Sequence, residues 1–177
     1  IKKIHDLKNK NFKKALLIYD IPLNFNKPFD VNKNSKRKYV LKSFNVAIEL
    51  SINKKINGFI NCPVNKKDIF QSNYGVTEFL AKKSNILGKE AMIIYNKKLS
   101  VCPITTHIQI KNISKNLSIK KIYEKIITIN NFYKQKIGYK PKICVLGLNP
   151  HNFELINKSE EKKIILPAIN KLRKKGI

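Results

Sequence analysis

The stretch Ile143-Cys144-Val145-Leu146-Gly147-Leu148-Asn149-Pro150-His151 decides how the rest of the 177-residue chain is read. A short apolar run that ends abruptly in Gly, Asn and Pro predicts a buried strand, delivering a histidine to the loop at its carboxyl end, where α/β proteins place their chemistry. His107 stands in the same relation to residues 99–104, with Thr105-Thr106 just before it. Two histidines after strands suggest a shared site. Neutral imidazole suits Zn, Fe, Co, Ni and Mn, and a catalytic metal typically keeps three protein ligands and an open position. A single histidine in such a place is more often a hydrogen-bonded loop residue, so from these residues alone the metal and loop readings both stay open.

Working outward, Ser159 is placed to cap a last helix. Glu160 and Glu161 suit its positive end and Lys171, Arg173 and Lys174 its negative end, with Gly176 as the stop and Pro167 as a kink or restart. Residues 118–137 form the clearest helical pattern, with Ile119, Ile122, Tyr123, Ile126, Ile127, Ile129 and Tyr133 on one face and an exit through Gly138 and Pro141. Residues 90–95 and 99–104 read as two short strands around Asn96-Lys97-Lys98.

Residues 75–87 read as a helix stopped by Gly88, with Thr77 as a candidate cap whose neighbouring free N–H groups attract anions. Before it come a strand at 58–62, broken by Pro63, and a short helix at 66–71. Lys66 could hold a phosphate or carboxylate as a mobile point charge, or simply be a solvated lysine. An amphipathic helix over 37–52, a loop over 24–38 and a first strand over 14–21 complete the chain. Strands alternating with helices, with no internal repeat, predict an α/β protein with a largely parallel sheet.

The charge is extreme, with 37 Lys+Arg against 11 Asp+Glu and a formal net charge of +26. Such a balance raises nucleic-acid binding as a function class, because neutralising phosphates releases counterions. The lysines are spread among Asn and Ile along the whole chain, which points instead to biased composition and to no nucleic-acid partner. A positive field still draws in anionic ligands. Cys62, Cys102 and Cys144 form no CxxC pair and sit in or beside apolar runs, as buried thiols of a reducing cytosol do. No signal peptide and no unbroken apolar segment of about 18 residues is present, so the expected location is cytoplasmic and off the membrane.

Four motifs, Cys62-Pro63-Val64-Asn65-Lys66, Gly75-Val76-Thr77-Glu78-Phe79-Leu80-Ala81, Thr105-Thr106-His107, and Asn149-Pro150-His151 with Glu160-Glu161, occur in the order and approximate spacing of the 4-hydroxythreonine-4-phosphate dehydrogenases. Each is weak singly. Together they are specific, and the chain resembles that family over about residues 58–177. The resemblance implies a three-layer α/β fold with a mostly parallel sheet, like the isocitrate and isopropylmalate dehydrogenases, in keeping with the lack of a GxGxxG motif.

The same resemblance implies NAD- or NADP-dependent oxidation and decarboxylation of 4-phosphohydroxy-L-threonine in vitamin B6 synthesis. It further implies a divalent metal (Zn, Mg, Mn or Co) and a homodimer with the site at its interface. His107 and His151 are then two of three histidine ligands, the third lying downstream. His5 matches nothing in the family and reads as a surface residue. Val76 and Thr77 fall where the family's substrate-contacting His-Thr stands. Valine cannot donate the missing hydrogen bond, so a related substrate such as a 4-phospho-threonate is the alternative, and a basic binding module is the non-enzymatic one. By this resemblance residues 1–177 are an incomplete α/β unit of a longer chain, inactive alone, with a subdomain boundary near 76 (1–76 and 77–177).

Overall fold

A computed structural model describes residues 2–4, 16–70, 75–149 and 159–177. The chain has an α/β fold that divides into two compact units, 1–85 and 86–177.

In the first unit, β1 (Lys2–Ile4) and β2 (Leu17–Tyr19) pair in parallel, with Lys2 opposite Leu17 and Ile4 opposite Tyr19. Helix α1 (Lys33–Ile52) begins inside the expected loop, because the Asn32 side chain accepts the Ser35 N–H at 2.8 Å. An Asn cap satisfies a first-turn donor, and the lysine-rich residues after it carry no helix breaker. Phe44 and Ile48, one turn apart, are the buried stripe of α1. Helix α2 (Lys66–Phe70) and helix α3 (Val76–Lys83) follow. Phe44 is the hub of the unit, with ring centroids 6.4, 6.1 and 5.8 Å from Phe59, Phe70 and Phe79, and Phe70 lies 4.9 Å from Phe79. Such offset and edge-on pairs add to the area that they bury.

The helix expected over 75–87 is shorter. It ends at Lys83, with Asn85 and Gly88 both at positive φ in the turns beyond. Its cap is Gly75 rather than Thr77. Gly75 is extended, and its N–H donates to Glu78 Oε2 at 2.9 Å, so the chain enters the helix two residues early and Thr77 lies within the first turn.

In the second unit, α4 (Ile119–Phe132) is capped by Ser118, whose hydroxyl accepts the Lys121 N–H at 3.2 Å. It runs on through a wide turn, Tyr133–Ile137, and Gly138 closes it at φ 92° with its N–H on the Tyr133 carbonyl. A second wide turn, Glu161–Ile165, leads into α5 (Leu166–Arg173), and Gly176 ends the element at φ 71°. The wide turn meets the problem that Pro167 poses, since proline offers no N–H and its ring crowds the carbonyl four residues back. Ile122 and Ile126 of α4 bury themselves against Ile165, Ala168 and Leu172.

Four expected strands are not ladders among the described residues. Residues 58–62 have no paired neighbour there, and Ile60 is fully exposed. Residues 90–95 and 99–104 meet only at one antiparallel bridge, with Ile94 N–H on Val101 O at 2.8 Å and the return bond at 3.0 Å. Residues 142–148 are likewise unpaired, yet they alternate as a strand does. Ile143, Val145 and Leu148 pack on the core, whereas Cys144 and Leu146 are exposed. The composition meets the requirement for burial, but a strand is defined by its neighbours, and hydrogen-bonded partners are what these runs lack here.

Candidate functional site

The two histidine-leading segments line one cavity. Ile104 and Thr105 from the first, and Val145, Leu146, Gly147 and Leu148 from the second, enclose about 220 Å³ together with side chains of α4 and the turns before it. The cavity brings together the two segments that precede the histidines. His107 lies two residues past Thr105, in a bend rather than at a strand end, exposed and at φ 56°. A non-glycine residue in the left-handed region is uncommon and, by steric cost, is held there by its surroundings. His151 lies outside the described residues, as does His5.

The Leu148-Asn149 turn is held by Glu161, at the start of the wide turn before α5. Its Oε1 accepts the Leu148 and Asn149 N–H groups, each at 2.9 Å, and the Asn149 side-chain amide at 3.3 Å. Glu161 is 7% exposed. The Asn149 N–H holds its carboxyl below the ordinary carboxylate range against the opposing effect of desolvation. Its neighbour Glu160 accepts a short hydrogen bond from the Ser114 hydroxyl, on the 3₁₀ turn Ser114–Asn116, and that bond chiefly lowers its pKa. Sequence reasoning took both acids as complements to a helix dipole and as part of a family motif, without a contact for either. The available signal was the pairing of two acids at a helix start with a backbone-rich Gly-Leu-Asn loop shortly upstream.

As to metal, the described residues contain no cluster of three or more His, Cys, Asp or Glu able to hold an ion. An exposed imidazole at His107 fits one ligand position of such a site. Val76 and Thr77 belong to the first unit. Val76 is half-buried and Thr77 exposed in the opening turn of α3. The helix ladder starts with the Phe79 N–H on the Gly75 carbonyl at 3.1 Å, so the Val76 and Thr77 N–H groups precede it. Lys66 brings a cation to the same corner. Its Nζ lies 3.8 Å from where a Cβ on Gly75 would stand, while Glu78 Oε2 lies 2.7 Å from that point. No helix among the described residues is long and apolar enough to cross a membrane.

The family model for pyridoxal phosphate biosynthetic protein PdxA matches residues 1–177, and the chain belongs to that family. More particularly, it is 40% identical over 158 residues to the 4-hydroxythreonine-4-phosphate dehydrogenase of Sulfurihydrogenibium sp. (strain YO3AOP1), covering 84% of this chain and 48% of that protein. It is 35% identical over 136 residues to the D-threonate 4-phosphate dehydrogenase of Salmonella typhimurium, covering 74% of this chain and 41% of that protein. The chain thus spans about half the length of the curated relatives it matches. Among solved structures, the 4-hydroxythreonine-4-phosphate dehydrogenase of Klebsiella pneumoniae superposes with a TM-score of 0.83 at 27% identity, over 99% of this chain and 56% of that one. That of Burkholderia phymatum gives 0.76 at 26% identity, over 100% of this chain and 56% of that one.

Proposed function

We propose that this chain works within a dehydrogenase that oxidises and decarboxylates 4-phosphohydroxy-L-threonine to 3-amino-2-oxopropyl phosphate, using NAD or NADP and a divalent metal, in vitamin B6 synthesis. The observation that carries the reading is the shared cavity, which sets the segment before His107 beside the segment before His151 in a chain of this family. His107 and His151 are assigned to the metal (Zn, Mg, Mn or Co), with a third ligand from elsewhere in the intact protein. The chemistry supplied when the cofactors are bound is Lewis acidity at the hydroxyl to be oxidised and hydride acceptance by the nicotinamide.

The residues of the chain hold and orient. Lys66 and the opening N–H groups of α3, with the Thr77 hydroxyl, are assigned to the substrate's phosphate. The Glu78 carboxylate competes with an anion there, and the Lys66 ammonium offsets it. The three-layer arrangement of the isocitrate and isopropylmalate dehydrogenases, a homodimer with its site at the interface and a cytoplasmic setting complete the proposal.

Val76 and the 35% identity to a D-threonate 4-phosphate dehydrogenase favour a second reading, in which the substrate is a 4-phospho-threonate. The intact protein, supplied with each metal and either dinucleotide, is expected to produce NAD(P)H absorbance with one of the two substrates. If 4-phosphohydroxy-threonine is the substrate, Val76→His restores one hydrogen bond to a charged group. That is worth roughly 1.5–3 kcal/mol, or about ten- to a hundredfold in kcat/KM. An unchanged kcat/KM in this variant, with faster turnover of the threonate, would decide for the second reading.

A further inference from the structure

We propose that Arg37 is a positioning residue for the phosphate corner, holding helix α2 so that Lys66 reaches the opening turn of α3. The inference rests on the reading of Lys66 as the cation for the substrate's phosphate. Arg37 stands half-buried in the second turn of α1, and its Nε donates to the Ile69 carbonyl of α2 at 2.9 Å, across 32 residues of chain. That carbonyl lies in the last turn of α2, where the helix offers it no N–H of its own. A guanidinium there supplies a charge-assisted bond, as basic side chains do at helix ends. The other polar tie between the two helices, Lys33 to Asp68 at 4.0 Å, is an exposed ion pair of little worth.

Helix α2 needs such a hold. It has 5 residues, far below the length at which a helix persists by itself. Its start is tied by Asn65, whose side chain accepts the Asp68 N–H at 3.4 Å and whose carbonyl accepts the Ile69 N–H at 3.1 Å. Its apolar side is fixed by Ile69, 2% exposed, and by Phe70, whose ring centroid lies 6.1 Å from that of Phe44 in α1. Apolar burial resists separation of the helices but is non-directional, so it specifies rotation about the α2 axis only weakly. A directional N–H···O bond to one carbonyl does specify it. Lys66 stands one turn before Ile69, and its Nζ lies 3.8 Å from the point that a Cβ on Gly75 would occupy, at the entry to α3. Rotation of α2 would swing this exposed, flexible side chain away from that entry. Arg37 therefore acts on the cation through the backbone of α2.

The test uses the intact protein with inorganic phosphate as the probe. Its dissociation constant is read at fixed ionic strength, with KM and kcat for the phosphorylated substrate alongside. Lys66→Ala is expected to weaken phosphate by about ten- to a hundredfold, the worth of one hydrogen bond to a charged group. Arg37→Ala is expected to weaken it by about five- to tenfold and to raise KM by a similar factor with kcat nearly unchanged, because a hold common to ground and transition states is lost. Arg37→Lys, which keeps a cationic donor, is expected to recover most of the loss. Lys38→Ala, which takes the same charge from an exposed position of α1, is expected to stay near the parent. The deciding measurement is the double variant. In the Lys66→Ala background, Arg37→Ala should cost almost nothing further, since its effect runs through Lys66. If Lys66→Ala keeps parental phosphate affinity, the assignment of Lys66 falls and the proposal with it. If Lys66→Ala loses phosphate while Arg37→Ala keeps it, or if the two losses add in full, the proposal alone is overturned. An equal loss in Lys38→Ala would also overturn it, because the effect would then be one of overall charge. Should Arg37→Ala fail to fold, Arg37→Met, which keeps the apolar stem without a donor, decides by the same criteria alone and with Lys66→Ala.

Discussion

The segment that leads to His107 is tied down at its beginning, and the segment that leads to His151 is tied down at its end. In the first, Lys125 and Thr128 of α4 donate to the carbonyls of Glu90 and Lys89 at 2.9 and 3.1 Å, the bridge at Ile94 and Val101 follows, and the histidine comes last, at a positive φ. In the second, Ile143 and Val145 pack on the core, and the strong anchor, Glu161, grips the two residues just before the proline. The two segments share a pattern of apolar run, polar turn and histidine, but one relies on local backbone conformation and the other on a carboxylate from a later helix. Similar sequence at two places does not mean similar support.

The sharpest break of that comparison is at His107. On the proposed reading of His107 as a metal ligand, His107→Ala is expected to lower turnover of the intact protein by about a thousandfold or more. His107→Gly should be as inactive yet more stable than His107→Ala by roughly 1 kcal/mol, since alanine bears the cost of the left-handed conformation and glycine does not. Equal melting temperatures for the two variants would show that local backbone conformation is not what supports this end of the segment.

Ile122 bears on both segments at once. It is 1% exposed and lines the cavity that they share. Ile122→Ala is expected to cost roughly 2–5 kcal/mol in urea unfolding, by lost burial and a larger void. If it loosened one segment only, as read by hydrogen exchange at Thr105 and Val145, the shared floor would not be shared in energy.

Acid should separate the segments more gently. Glu160 and Glu161 have carboxyls held below their ordinary values, chiefly by the Ser114 hydroxyl and by the Asn149 N–H respectively. Their stabilising contribution is therefore present above the unfolded carboxyl value of about 4.3 and is lost as pH falls through the lower folded value. Stability measured from neutral pH downward should fall across that window, and Glu161→Ala should flatten the fall. An unaltered slope would mean that the anchor's charge contributes nothing.

The smallest expected effect is a difference in thiol reactivity, for each segment carries one cysteine. Burial pushes the Cys102 thiol up, with Lys125 partly opposing, whereas Cys144 is exposed. At about pH 8, Cys144 should react with a disulfide reagent several-fold faster than Cys102. Equal rates would contradict the outward face of the 142–148 run.

By itself the sequence determined the two long helical elements of the second unit and where they stop. Ser118 and Gly138 bound α4 and its extension as their side-chain chemistry demands, and Ser159, Pro167 and Gly176 mark the last helix. Caps, prolines and left-handed glycines act within a few residues, so their meaning is local. It also determined that two histidines follow apolar runs, and enough motif order to indicate the family. It did not determine the ladders, because residues 58–62 and 142–148 have the composition of strands while pairing depends on what lies alongside. Nor did it show that Gly75 rather than Thr77 opens α3, or what Glu161 does. The first turned on where Glu78 folds back, and the second on a contact twelve and thirteen residues away in the chain. The second outcome belongs to the tertiary structure, since a carboxylate finds distant donors only after packing has brought them within about 3 Å, whereas the first is a local cap with its partner three residues on.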